Sequence, residues 1–230
     1  MLGRLPGELA DVLRAHASVI QARSGRTLVS LGDTSNAVYL VLHGRAQATM
    51  VSLVGREVIL NDLEEGDFFG ELAAIDAQPR SATVVALTDC VLAGLPGDEF
   101  RRAVTEIPAA ALWLARRLTG QIRNLTEKVF ELNALRVRSR LHCELFRMCR
   151  HVEGNSFTIE PAPTHAELAN RIGTHREAIT REISQLIDAG IVDQQRRRMT
   201  ILDIPALAGL VQSATGIDAE ALRRGGARAD

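Results

Sequence analysis

Between Arg26 and Leu95 the apolar residues fall into short runs separated by turn residues. The runs Thr27–Leu31, Ala37–Leu42, Arg45–Val51, Arg56–Leu60, Ala82–Leu87 and Val91–Leu95 predict strands, and the pairs Gly32-Asp33, His43-Gly44, Val54-Gly55 and Gly66-Asp67 predict turns between or beside them. Many short strands at even spacing predict a β-sandwich or jelly roll. After Pro108 the period changes. Ala111, Ala115, Leu118, Ile122, Leu125, Val129 and Leu132 recur at alternating steps of four and three, interrupted only by Gly120. That stripe predicts a helix from Ala109 to Arg136, roughly 40 Å long. Numbered as heptads, Ala115, Ile122 and Val129 take the a positions and Ala111, Leu118, Leu125 and Leu132 the d positions. Branched residues at a with leucine at d favour a parallel two-stranded coil. The stripe therefore predicts a homodimer, against the alternative of a long helix lying on its own domain.

A second amphipathic helix is expected over Arg138–His151, followed by a polar loop, His151–Ser156. Thr164-His165-Ala166-Glu167 has the form of a capping box and opens a helix ending at Ile172. Gly173 makes a turn. Thr174-His175-Arg176-Glu177 reads as a second capping box, opening a helix that runs to Ala189 and stops at Gly190. Two helices joined by a glycine-containing turn predict a helix-turn-helix. On its second helix Ala178, Ile179, Ile183, Leu186 and Ile187 are expected to face inward. Arg176, Glu177, Thr180 and Arg181 share the other face, near the helix start, where such motifs reach the major groove. Arginine suits guanine O6 and N7, and glutamate accepts from a cytosine amino group. A solvated polar face is the plainer alternative. Ile191–Asp193 and Met199–Leu202, flanking Gln194–Arg198, predict a hairpin wing whose Arg196-Arg197-Arg198 tip, Arg197 in particular, touches phosphates. His165 and Thr174 are further phosphate candidates. A short helix around Pro205–Val211 and a polar tail complete the chain.

Charge sharpens this division. The 230 residues carry a net charge of -1, but residues 1–107 hold 9 arginines and no lysine against 14 acids, whereas residues 108–230 hold 18 bases against 14 acids. The first part is at -5 and the second at +4, so a polyanion is expected to meet the second part. Cys90, Cys143 and Cys149 are odd in number and widely spaced, as in reduced thiols of a cytoplasmic protein. No cysteine pair or cluster suggests a metal, and no long apolar run suggests a membrane. Neither a Gly-x-Ser-x-Gly, a Walker loop nor an HExxH motif points to an enzyme.

The stretch Phe69–Val84 carries the most chemistry. Gly70 can adopt backbone angles closed to other residues. Glu71–Ile75 is helix-compatible, which leaves the amides of Leu72 and Ala73 as donors at a helix start, where anions bind. Arg80, stiffened by Pro79, offers a guanidinium fork for a phosphate. Glu71 would repel a simple anion, but a 3′,5′-cyclic nucleotide keeps a free ribose 2′-hydroxyl that a carboxylate can accept from. A Glu71–Arg80 surface salt bridge is the alternative.

The string Phe69-Gly70-Glu71-Leu72-Ala73, a short spacer, then Pro79-Arg80-Ser81-Ala82-Thr83-Val84 resembles the phosphate-binding cassette of cyclic-nucleotide-binding domains. The spacer has the length found in kinase regulatory subunits and is one residue shorter than in catabolite activators. The resemblance implies sugar and phosphate contacts from Gly70, Glu71, Leu72, Ala73, Arg80, Ser81 and Ala82. Leu125-Thr126-Glu127-Lys128-Val129 is similar to the part of the family's helix that touches the base. Catabolite activators have two hydroxyl residues there; here the first is Leu125, and only Thr126 carries over. Ser81 offers a further polar contact to a syn purine. Cyclic AMP is favoured and cyclic GMP is the competitor. Arg176, Glu177 and Arg181 stand where the family's base-reading Arg, Glu and Arg lie, implying a palindromic site similar to TGTGA.

The resemblance covers about residues 25–203 and is to the CRP/FNR superfamily. It implies an α+β chain with a β-jelly-roll cyclic-nucleotide-binding domain (1–107), a dimerisation helix and hinge (108–137, hinge at Leu135–Arg138), and a winged helix-turn-helix domain with a C-terminal extension (138–230). The implied role is a transcription regulator acting as a homodimer on double-stranded DNA, with RNA polymerase a further partner. A same-fold regulator sensing haem or redox state, or acting without a ligand, is the alternative. The cysteine cluster of an iron–sulfur sensor is absent, and His43 and Cys90 lack a matched haem context. A nucleotide-binding module gating a kinase or channel would need an effector domain that this sequence lacks.

Overall fold

The computed structural model describes residues 5–149 and 154–217, in two compact units that divide between Leu118 and Thr119. The first unit begins with α1 (Gly7–His16) and β1 (Ser18–Ala22), followed by β2 (Thr27–Val29), β3 (Val38–His43), β4 (Ala46–Val51), β5 (Glu57–Leu63) and β6 (Phe68–Phe69). Then come α2 (Glu71–Asp76), β7 (Thr83–Ala86), β8 (Cys90–Leu95) and α3 (Gly97–Glu106). The strands form two antiparallel sheets, β1-β8-β3-β6 and β2-β7-β4-β5. This pairing of early with late strands is the expected jelly roll.

Strand β3 shows how the sequence fills it. Tyr39 and Val41 point into the space between the sheets, with Val29, Leu63, Phe69, Val84 and Leu92. Val38 and Leu40 point to the opposite face, where Leu13 of α1 and Phe100 of α3 cover them. Both faces are buried, so a period-two strand reads as a continuous apolar run. The two covering helices and β1 were not expected from the sequence. Phe100 and Leu9, each fully buried, are their anchors.

Helix α4 (Pro108–Ala134) matches the expected long helix. Its apolar stripe has two fates. Leu118 is half-buried against the cluster around Phe100 and Leu114, so this d position serves its own domain. Ile122, Leu125, Val129 and Leu132 are at least half exposed.

The second unit adds α5 (Val137–Cys149), β9 (Phe157–Ile159), α6 (His165–Ile172), α7 (Arg176–Asp188), β10 (Val192–Gln195), β11 (Arg198–Ile201) and α8 (Ile204–Thr215). The sheet order is β10-β11-β9. Leu141, Leu145, Phe146, Leu168, Ile179, Ile183, Met199, Ile201 and Leu207 form its core. Strand β9 was not expected, and α8 is longer than the predicted Pro205–Val211. The expected end of the α5 helix at His151 and the tail beyond Ile217 lie outside the described residues. No helix among the described residues is long and apolar enough to cross a membrane.

This unit also buries charge. Arg147 of α5 grips both carboxylate oxygens of Glu131 on α4, at 2.5 and 2.9 Å, and also binds Glu144 at 2.9 Å. Arg171 of α6 approaches Glu144 at 3.6 Å. Burial alone would raise the Glu144 pKa, but the cations of Arg147, Lys128 and Arg171 and the Arg147 hydrogen bond overcome it, and the pKa is lowered. The network joins three helices through groups that cannot be left singly unpaired without large cost.

His142, on α5, is buried among these helices. Burial, reinforced by the cation of Arg138, lowers its pKa from 6.5 to about 4. Between those values the unfolded chain binds a proton that the folded chain does not, so stability rises with pH across that window and is lost as pH falls through it. The total is about 3 kcal/mol from the shift. Urea unfolding of the second unit is expected to weaken steadily from pH 6.5 to pH 4. In His142→Leu that part of the slope should vanish; an unaltered slope would show that His142 is not its source.

Candidate functional site

The cassette is assembled on the Gly32-Asp33 turn. Gly32 N donates to Arg80 O at 2.9 Å, and Arg80 N donates to Asp33 O at 2.8 Å. The side chain of Arg80 turns inward and is almost wholly buried. Its Nε donates to Ser35 Oγ at 3.2 Å, Nη1 to Gly70 O at 3.0 Å and Nη2 to Ala37 O at 2.7 Å. The guanidinium carbon lies 5.9 Å from the Tyr39 ring centroid. Burial pulls the Arg80 pKa below its ordinary value, opposed by Tyr39, Asp33 and Glu71. Three of the five guanidinium N–H donors are thus committed to protein acceptors, and at most two can serve a ligand. Those two lie one on each Nη, the pair that a bidentate fork uses.

Gly70 has φ 89° and is the N-cap of α2. A Cβ here would sit 2.5 Å from Arg80 Nη1 and 2.7 Å from Ala37 O. Both the left-handed backbone and the close approach require glycine. Glu71 follows and is buried with only 5% of its surface exposed, unusual for a carboxylate unless the site needs it. Leu72 is exposed and Ala73 buried, and their amides lie in the first turn of α2, where no intrahelical acceptor exists. Arg101 of α3 donates to Ala74 O at 2.9 Å, and Ala77, at φ 55°, ends the helix. Ser81 is exposed and Ala82 half-buried. The sequence reading missed Ser35, Ala37 and Tyr39 as supports; the Gly32-Asp33 turn and the strand Ala37–Leu42 were its signals in that segment. Thr126 is exposed on α4 and donates its hydroxyl hydrogen to Ile122 O at 2.9 Å.

The second group of candidates lies on α6, α7 and the β10–β11 hairpin. Thr164 caps α6 as expected: its Oγ1 accepts from Glu167 N at 3.1 Å, and Thr164 N donates to Glu167 Oε2 at 2.6 Å. The second capping box does not form. Gly173, at φ 66°, terminates α6, and Thr174 N donates back to Ala169 O at 3.0 Å. Thr174 is therefore used in closing α6, and His175 becomes the N-cap of α7 without a side-chain cap bond. Ile179, Ile183 and Leu186 are buried as expected, but Ile187 is 40% exposed near the end of α7.

Arg176, Glu177, Thr180 and Arg181 share the exposed face of α7. Thr180 Oγ1 donates to Arg176 O at 3.1 Å and lies 2.8 Å from His165 Nδ1. His165 Nε2 lies 3.0 Å from Gln194 Oε1 on β10. At the hairpin, Arg196 and Arg197 are exposed in the turn, while Arg198 pairs with Glu160 at 2.9 Å. The expected triple-arginine tip is thus two outward arginines and one tied to the protein.

Comparison with known proteins matches these two groups separately. The cyclic nucleotide-binding domain family matches residues 19–106, and the Crp-like helix-turn-helix domain family matches residues 139–210. The cyclic AMP receptor protein of Thermus thermophilus is 31% identical over 168 residues, covering 73% of this chain and 76% of that protein. The chain belongs to the CRP/FNR family of transcription regulators. The cAMP-activated global transcriptional regulator Vfr of Pseudomonas aeruginosa is 27% identical, over 83% of this chain and 92% of its own. The solved structure of the c-di-GMP responsive global regulator CLP of Xanthomonas campestris aligns at a TM-score of 0.72 and 22% identity, covering 85% of this chain and 98% of that one. This CRP/FNR protein is accordingly a DNA-binding transcription regulator with a cyclic-nucleotide-binding domain, and not an enzyme.

Gly70→Ala is expected to destabilise the first unit by about 1–3 kcal/mol, through backbone strain and displacement of the guanidinium. Urea unfolding followed at the jelly roll measures it; a loss below about 0.5 kcal/mol would mean that the crowding at Gly70 relaxes without cost.

Proposed function

We propose that this CRP/FNR protein is a homodimer that takes cyclic AMP in the Gly70–Ala82 cassette and, so loaded, reads a palindromic TGTGA-like DNA site. The observation that carries the reading is the buried Arg80 guanidinium, fixed by Gly70, Ala37 and Ser35 beside the buried Glu71. A preset fork and a desolvated carboxylate suit one ligand group each: the cyclised phosphate and the ribose hydroxyl. Leu72 and Ala73 amides complete the phosphate contacts, and Ser81 and Ala82 border them.

Adenine is favoured because the Thermus and Pseudomonas relatives are each named for cyclic AMP. Cyclic GMP is the competitor. A second reading, cyclic di-GMP, draws on the Xanthomonas regulator being c-di-GMP responsive and on Leu125 standing where a second hydroxyl is expected.

The exposed Ile122, Leu125, Val129 and Leu132 support the dimer, since an apolar stripe of that length on a helix calls for a partner. The break between α4 and α5 is two residues, Leu135 and Arg136, which supports a hinge over Leu135–Arg138. Ligand shifts the hinge only by binding the DNA-competent arrangement better than the other. On the DNA, Arg176, Glu177 and Arg181 read bases, while Thr174 and Arg197 contact phosphates. RNA polymerase is the partner downstream.

Isothermal titration of the full chain with cyclic AMP, cyclic GMP and cyclic di-GMP tests the pocket. Cyclic AMP is expected to bind tightest. Arg80→Leu and Arg80→Lys should each lose more than about a hundredfold in affinity, lysine being unable to reproduce the fork. Unchanged affinity in a folded Arg80→Lys protein defeats the reading.

Ile122→Arg is expected to convert the protein to monomers in sedimentation and to lower affinity for an inverted-repeat duplex by more than about tenfold in gel shifts. A dimer that survives this substitution argues against the stripe.

A further inference from the structure

The geometry points to a function for His165 other than touching DNA: we infer that it is a positioning residue that locks the wing to the recognition helix through Thr180 and Gln194. The inference rests on the DNA-binding reading and assigns the residues that set its geometry.

His165 is the first residue of α6, half-buried, and both of its ring nitrogens are engaged within the domain. One reaches Thr180 on α7 at 2.8 Å and the other Gln194 on β10 at 3.0 Å. A planar ring held at both nitrogens is a rigid strut between α7 and the β10 strand that follows it. Gln194 Oε1 can only accept, so Nε2 of His165 donates to it. Nδ1 faces Thr180 Oγ1, whose single hydroxyl hydrogen is shared between that nitrogen and Arg176 O. Neither ring nitrogen is left over for a phosphate, and Thr180 has no hydrogen left for a base.

What the strut holds is the reading surface. Thr180 sits one turn after Arg176 and directly before Arg181, both exposed on α7. Gln194 leads into the hairpin turn that presents Arg196 and Arg197. Ser184 Oγ donates to Thr180 O at 3.0 Å, fastening the next turn of α7 to the same point. His165 thereby fixes the spacing between the face that meets base edges and the tip that meets the backbone. A change of about 1 Å in such spacing is enough to lose contacts that act together. The wing decides register on the duplex only if it cannot slide against α7.

A double-mutant cycle tests this. The full-length protein, saturated with cyclic AMP, is measured on the duplex that wild type selects best from a randomised pool, and on a scrambled duplex. His165→Ala and Gln194→Ala are each expected to weaken the selected duplex about tenfold, and the double variant no more than about twofold further. The slope of log affinity against log salt should stay at the wild-type value, and His165→Ala should leave the urea midpoint within experimental error of wild type. In ring nitrogen NMR, Gln194→Ala should shift the His165 signals without DNA present. If His165 instead touches a phosphate, the salt slope falls by about one in His165→Ala and the two effects multiply; either result overturns the inference. So does an unmoved His165 signal in Gln194→Ala. Wild-type protein that selects no sequence at all defeats the DNA-binding reading itself and takes the strut's role with it, a result distinguishable because it appears before any substitution.

Discussion

The first unit is organised around one cation that has been taken out of water. Arg80 spends its donors on two backbone carbonyls and a hydroxyl, not on a surface carboxylate. Those bonds join three stretches of chain: the loop at residues 35–37, the Gly70 corner, and the segment leading to β7. Desolvating a guanidinium is expensive, and here the cost is met by neutral dipoles that cannot leave. The fork is therefore aimed before any ligand arrives. On the function proposed above, a ligand phosphate would supply the full negative charge that neutral carbonyls lack, and the same burial that costs stability in the empty protein would increase affinity in the loaded one.

The second unit solves a different problem with similar means. Glu131, Glu144, Arg147 and Arg171 tie α4, α5 and α6 together by charge, beside a core of apolar side chains. Apolar contacts tolerate small slips between helices; a bidentate fork does not. The network therefore clasps α5 to α4 across the two-residue break at Leu135 and Arg136, so a hinge movement there has to part Arg147 from Glu131. Arg171 keeps α6 with α5 through Glu144, so those two helices move together.

Much of this was legible in the sequence where the signal is local. The jelly-roll strands, the long helix, the α6 capping box and the wing all follow from periodicity and turn residues within a dozen positions. What failed was also local in a revealing way. Thr174 fits the sequence pattern of a cap, but its amide closes α6 and α7 opens one residue later, with His175 as its N-cap. Helices α1 and α3 were missed because their apolar positions are few and make sense only against the outer face of β3. The site's supports were not visible at all. Ser35 and Ala37 lie more than forty positions from Arg80, and Gln194 lies 29 from His165. No spacing rule connects them; only the folded pairing of strands and helices does.

The strand order carries one more consequence, for how the protein is made. Strand β1 pairs with β8, and β2 with β7, so the earliest strands out of the ribosome find their partners among the last. Until residues near Leu95 have emerged, neither sheet can close. A nascent jelly roll of this order spends its synthesis time uncovered. In the second unit the β10–β11 hairpin and the α6–α7 pair join near neighbours, but β9 waits for β11 and α5 for α8. A destabilising change in the jelly roll should show as lost yield before it shows as lost regulation.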